Sequence, residues 1–393
     1  MNTQLAAMPW SSSLIAGLLA LCTLVPLAGA VESAGGAQDS DDFILQGLKS
    51  IKVLGTTVPG NGDVNPYGMA QVQHTVGKLT AGHILISNFN SVANLQGTGT
   101  TIVDMAPDGT QSLFAGLDAK SLPGACPGGL GLTTALVVLN EGWVIVGSLP
   151  TSDGTSATAK PGCLIVLDSM GKPVETLFGS LIRGPWDMTA RESGGEAQLF
   201  VTNVLNGTVA ANGKVVNEGT VVRVDLAVSA SSMPSLESLT VVGSGFAERT
   251  DPAALVIGPT GVALSPACGG DDDGDCSPAL LYVADTLNNR ITAITHPFDR
   301  MSADGPGTTL SSGGSLNAPL GLIVVQDGGH LLTVNGADGF ITEITPAGAQ
   351  VGKRLLDKSG SPPGAGALFG LVFDPAHGIY YVDDATNMLN LLH

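Results

Sequence analysis

The chain has 393 residues and a net charge of -18, with Lys+Arg 16 against Asp+Glu 34. That balance leaves no basic patch for a nucleic-acid backbone, and 44% apolar residues are too many for a disordered acidic tail. Gly (54) and Pro (23) make up about a fifth of the chain and charged residues only 13%, which excludes a long helical bundle and leaves a turn-rich, all-β protein.

In chain order, residues 1–30 read as a secretory signal peptide. Leu14 to Val25 is an apolar run, and Ala28-Gly29-Ala30 supplies the small residues that signal peptidase accepts, with cleavage after Ala30. No Lys or Arg precedes the run, so only the α-amino group makes the n-region positive. The expected location is secreted or periplasmic, and the expected state a soluble monomer not embedded in a membrane. Residues 31–41 are small and acidic and are expected to form a disordered tether, leaving 42–393 as a single domain. Ser50-Ile51-Lys52-Val53-Leu54-Gly55 is an isolated strand. Ile51 and Val53 alternate with Lys52 and Leu54, so one face is expected to pack inward.

From residue 65 onward one phrase recurs: a small-residue turn, a short apolar strand, a second turn, then an apolar strand ending in a polar residue. It is clearest at Pro259-Thr260-Gly261-Val262-Ala263 followed by Leu281-Tyr282-Val283-Ala284-Asp285-Thr286-Leu287-Asn288-Asn289-Arg290-Ile291. Anchors at residues 68, 131, 187, 261, 321 and 370 mark six copies. Each spacing holds four short strands and their turns. Such a sheet cannot bury both faces alone, and stacking six around an axis gives a β-propeller. With strands lettered a to d from the channel outward, the last copy ends on its third strand, near Leu389 to Leu392. The isolated strand at 50–55 is expected to supply strand d of blade 6 and remove the open edge.

The phrase of the fourth copy resembles the NHL repeat of six-bladed propellers. The resemblance runs over roughly residues 45–393 and is strong in three or four copies. It implies a fold rather than an activity. Trp186-Asp187 imitates the WD dipeptide of another propeller family but opens an inner strand instead of closing a third one.

Candidate sites follow from this layout. The polar residues ending strand b, Asn88, Ser148, Asn203, Asp285, Asn335 and Asp384, are either a ring of ligands at the channel mouth or caps of the b–c turns. The b–c loops of blades 1–3 are long, the third carrying an Asn212-Gly213 hairpin signal. They raise one sector of one face, either as the wall of a binding site at the channel mouth or as drift in tolerant surface loops. The mature cysteines are Cys126, Cys163, Cys268 and Cys276, with three pairings open. The propeller geometry places Cys126 and Cys163 on one face and Cys268 and Cys276 on the other, which predicts those two pairs. Between the latter pair, Asp271, Asp273 and Asp275 alternate as calcium ligands do but lack the EF-hand spacing and its distal Glu, so the loop reads first as a solvated acidic tip and second as a Ca²⁺ site, Ca²⁺ being the one cofactor suggested. No nucleophile signature is present. The expected function is a scaffold that binds a protein or small ligand through the face carrying the long b–c loops. The alternative is a metal-dependent lyase or hydrolase at the channel mouth, as in other six-bladed propellers.

Overall fold

The computed structural model describes residues 43–266 and 279–393. The expectations for the leader, the tether, the Cys268–Cys276 pair and Asp271, Asp273 and Asp275 lie outside the described residues. Residues 42–393 form one compact unit. It consists of six antiparallel sheets in a ring, five of four strands and one of five. The inner strands are Val64–Gln71, Leu132–Val138, Pro185–Ser193, Pro259–Leu264, Pro319–Val324 and Leu368–Asp374. The architecture is the expected six-bladed β-propeller. Among the described residues no helix is long and apolar enough to cross a membrane.

The core lies between blades. Val, Ile and Leu on one sheet face mesh with those of the next, which is why β-branched residues dominate the middle strands. Ile145, Leu164 and Leu177 of blade 2, for example, pack with Leu199, Val222 and Val224 of blade 3. Each such side chain stabilises the fold by roughly 1.5–3 kcal/mol.

The ring is closed by the N-terminal strand, as expected. Ile51–Thr56 pairs antiparallel with Met388–Leu392, Ile51 facing Leu392 and Thr56 facing Met388. The packing differs from the alternation reading. Ile51 and Val53 are 40% and 60% exposed, and Leu54 is half-buried. An outermost strand touches the next blade only where the sheets converge, here where Gly55 meets the Gly109 turn of blade 1. The closure is instead anchored one step earlier. The short helix Ile44–Gly47 offers its first amides to a fully buried carboxylate of blade 5: Ile44 N–H donates to Glu343 Oε1 at 3.0 Å and Leu45 N–H to Oε2 at 2.9 Å. Leu45 is buried, and the Arg354 guanidinium donates to the carbonyls of Leu48 and Lys49.

Blade 3 departs from the repeat. Its fourth strand, Ser235–Asp251, runs beyond the sheet and turns back as Leu255–Ile257. This extra ribbon accounts for the widest spacing between sequence anchors. The hairpin expected around Asn212-Gly213 is a helical turn, Thr208–Ala211, ended by Asn212 and Gly213 at positive φ. Left-handed Asn-Gly terminates a helix as readily as it turns a hairpin.

Cys126 and Cys163 form a disulfide, with Cα atoms 5.2 Å apart and a sequence separation of 37. It ties the segment entering blade 2 to that blade's third strand. Cys126→Ser with Cys163→Ser should lower stability by about 2–4 kcal/mol, because a loop of this length regains its freedom in the unfolded chain. Urea titration of the double variant checks this. An unchanged midpoint would mean that the bridge contributes nothing to the native ring.

Candidate functional site

The polar residues that end strand b line neither the space under the loops nor the channel cavity described below. Register places Asn88, Ser148, Asn203, Asp285 and Asn335 opposite residues in the opening part of the inner strands, Pro66, Leu132, Pro185, Pro259 and Pro319. In blade 6 that position is held by Asp383, paired with Leu368, and not by Asp384, which sits one residue on in the turn. All except Asp384 are buried. They bond to backbone and near neighbours. Asn203 Oδ1 accepts from Arg183 N–H, Asn335 Oδ1 from Asn317 N–H and Ser148 Oγ from Gly131 N–H. Asn88 Nδ2 donates to the Thr57 carbonyl, and Asp285 accepts from Asn288 and Arg290. Asn88, Ser148, Asn203 and Asn335 fasten the b–c turn to the segment entering the blade, while Asp285 and Asp383 bond within the b–c connection itself, and both are capping geometries.

The channel is organised in layers by the inner strands. The first layer is a plug. The Tyr67 ring stacks on Phe369 with centroids 3.9 Å apart and on Phe89 at 4.6 Å, and Trp186 tilts against Phe369 at 6.3 Å. Leu320 fills the gap beside them. The long b–c loops of blades 1 and 2 and the extra ribbon of blade 3 lie over this plug. Leu149 and Leu255 pack into the same apolar cluster, Gln96 Nε2 donates to the Ala253 carbonyl, and Thr151 Oγ1 donates to that of Gln96. Only about 100 Å³ of apolar space remains beneath them. The enlarged loops therefore cover one end of the channel, and no described residue spans the opposite end.

The second layer explains the sequence anchors. Gly68, Gly261, Gly321 and Gly370 occur where neighbouring inner strands nearly touch. A Cβ at Gly321 would stand 1.9 Å from the Phe369 carbonyl oxygen, and one at Gly261 2.2 Å from that of Leu320. The blade 2 residue at this level is Thr134 rather than Gly131, which precedes its strand. In blade 3 the residue is Asp187. Its N–H donates to Thr202 Oγ1, and its Oδ2 accepts the Val262 N–H of the next blade at 3.1 Å. Burial pushes its pKa up to about 7, against the opposing effect of hydrogen bonds from the Met188 and Val262 amides.

Beyond this layer the channel widens into a cavity of about 940 Å³ that ends among the a–b turns. Its walls are Met69, Leu136, Met188, Val262, Leu322 and Leu371, one from each blade, with Val138, Leu264, Ile323 and Phe373 nearer the mouth. Gln71, Gln73, Gln326, Arg191, Glu192 and Asp327 stand toward the rim. Arg191 is occupied: its guanidinium lies 4.0 Å over the Phe298 ring. Among the described residues the result is a one-ended pocket with aliphatic walls, a polar rim and a single carboxyl at its floor, a form that small-molecule sites take. Among the described residues no three His, Cys, Asp or Glu side chains converge as metal ligands. His83, His330 and His377 each pair with a carboxylate of their own blade.

No family model matches the sequence, and no curated protein matches it. Solved structures do. Regucalcin from Agrobacterium tumefaciens str. C58, a calcium-binding protein, superposes with a TM-score of 0.52 at 14% identity, covering 86% of this chain and 93% of its own. A luciferin-regenerating enzyme gives 0.50 at 10%, covering 87% and 94%. A streptogramin B lyase gives 0.49 at 12%, covering 87% and 96%. At such identities the likeness is one of fold alone.

Proposed function

We propose that this protein is an NHL-like binding propeller whose ligand is a small organic molecule held in the channel, entering from the side of the a–b turns. The observation that carries the reading is the one-ended cavity: about 940 Å³, walled by apolar side chains and floored by Asp187. A closed plug on one side and, among the described residues, an open mouth on the other give a ligand a single way in. In this reading the long loops of blades 1–3 serve the site by sealing its far end rather than by forming its wall. That moves the expected binding face to the other end of the ring.

A thermal-shift screen of small organic molecules tests this, with Thr189→Trp as the blocked control. Thr189 lines the cavity two residues nearer the mouth than Asp187, on the same side of its strand. The expected result is a compound that raises the melting temperature of the parent protein and leaves the folded Thr189→Trp variant unmoved. A compound that stabilises both equally, or a screen in which nothing binds, would overturn the reading.

A further inference from the structure

We propose that the channel cavity takes an organic cation, a ligand with one protonated nitrogen and an apolar body, the nitrogen seated against the carboxylate of Asp187. The proposal rests on the channel being the binding site and specifies its chemistry. Asp187 stands at a level of the ring where four of the other five blades carry glycine, so its carboxyl is the one charged group at that depth. The inner strands around it are Val64–Gln71, Leu132–Val138, Pro259–Leu264, Pro319–Val324 and Leu368–Asp374, and the titratable side chains among them are Tyr67, stacked in the plug, and Asp374, at the rim beside His377. On its own strand Arg191 and Glu192 follow toward the mouth. Arg191 is turned over Phe298, and Glu192 accepts from the Asn140 amide. Among the described residues no ion pair includes Asp187, and no Lys lines the cavity.

A carboxylate in apolar surroundings without a counter-charge is costly to ionise, so it holds a proton until something positive arrives. Two backbone amides offset part of that cost and fix the carboxyl in place. A ligand cation supplies the missing partner in a medium where attraction is stronger than in water. An anionic ligand meets repulsion from the rim carboxylates Glu192 and Asp327 and leaves Asp187 without a counter-charge. A neutral one gains only apolar contact. The six wall residues, one per blade, are all aliphatic or Met, which suits a hydrocarbon or aromatic body behind the charged end.

The test uses three probes of one shape: 4-phenylbutylamine, 4-phenylbutan-1-ol and 4-phenylbutanoate, titrated by calorimetry into the full chain. The amine should bind at least tenfold more tightly than the other two. Asp187→Asn should erase that preference, with its fold checked by circular dichroism melting. Amine affinity should rise between about pH 6 and pH 8.5, where Asp187 ionises while an alkylamine stays protonated. An alcohol that equals the amine, with both blocked by Thr189→Trp, overturns the cation assignment and leaves the channel reading intact. Probe binding that Thr189→Trp does not touch overturns the channel reading itself. No amine binding at millimolar concentration overturns the cation assignment.

Discussion

A chain begun at Asp42 should melt like the full-length protein, and a chain begun at Thr57 should lose cooperative unfolding. The second truncation removes the outermost strand of blade 6, with its ladder to Met388–Leu392. It also removes the main-chain bonds by which Lys49 and Ser50 hold His393. Leu45 leaves a buried site, worth roughly 1.5–3 kcal/mol. Glu343 keeps its bond to His330 Nδ1 but loses both amides of the N-terminal helix, so a buried carboxylate is left short of donors. Such a group costs about 1–3 kcal/mol or more. With the exposed sheet edge, the sum approaches the roughly 5–15 kcal/mol that holds a typical domain folded. Glu343→Ala, which keeps the strand and removes the anchor, should give an intermediate loss. Calorimetry of the three chains against the parent checks this. Identical melts for the chains begun at Asp42 and Thr57 would mean that the ring stands without its closing strand.

The ring was legible because its period is written in backbone requirements. A glycine recurs where two inner strands nearly touch, and a capping Asn, Ser or Asp recurs where strand b ends. Both demands are local. What was not legible depended on neighbours. Ile51 and Val53 alternate like core residues, yet an outermost strand has no blade against most of its face, so they stay exposed. Asp383 and Asp384 are adjacent acids, and only pairing with Leu368 shows which of them occupies the cap. Loop length revealed which face is enlarged, but not that the loops cover a plug, since the aromatics beneath them come from blades 1, 3 and 6. Asp187 is the instructive miss. Its position was among the six anchors, but it was read as part of a Trp-Asp pair. An acid standing where the five other anchors are glycine was the available signal that the channel carries a charge.

Stability should fall as pH rises from about 5 to 9, and Glu248→Gln should flatten that decline. Glu248 is fully buried on the long fourth strand of blade 3. Its Oε1 accepts the Asn206 amide at 3.0 Å, while Oε2 has no partner among the described residues. Burial, with the nearby charge of Glu218, pushes its pKa up to about 8 from an ordinary 4.5. The sign follows from proton counting. Between these two values the folded chain holds a proton that the unfolded chain has released, so each added pH unit favours unfolding by about 1.4 kcal/mol. The contribution is fully present below the unfolded value and is lost as pH passes the folded one. Asp187 and Asp384, both raised to about 7, act in the same direction. Glutamine keeps the neutral shape and an acceptor for Asn206 but has no proton to lose. Near pH 5 the variant and parent should therefore be close in stability. Near pH 9 the variant should be more stable by about 3–5 kcal/mol, the value of a shift of this size. Urea titrations of both proteins across that range measure the difference directly. Parallel curves would mean that Glu248 is ionised in the folded ring, and that the extra ribbon of blade 3 hydrates it.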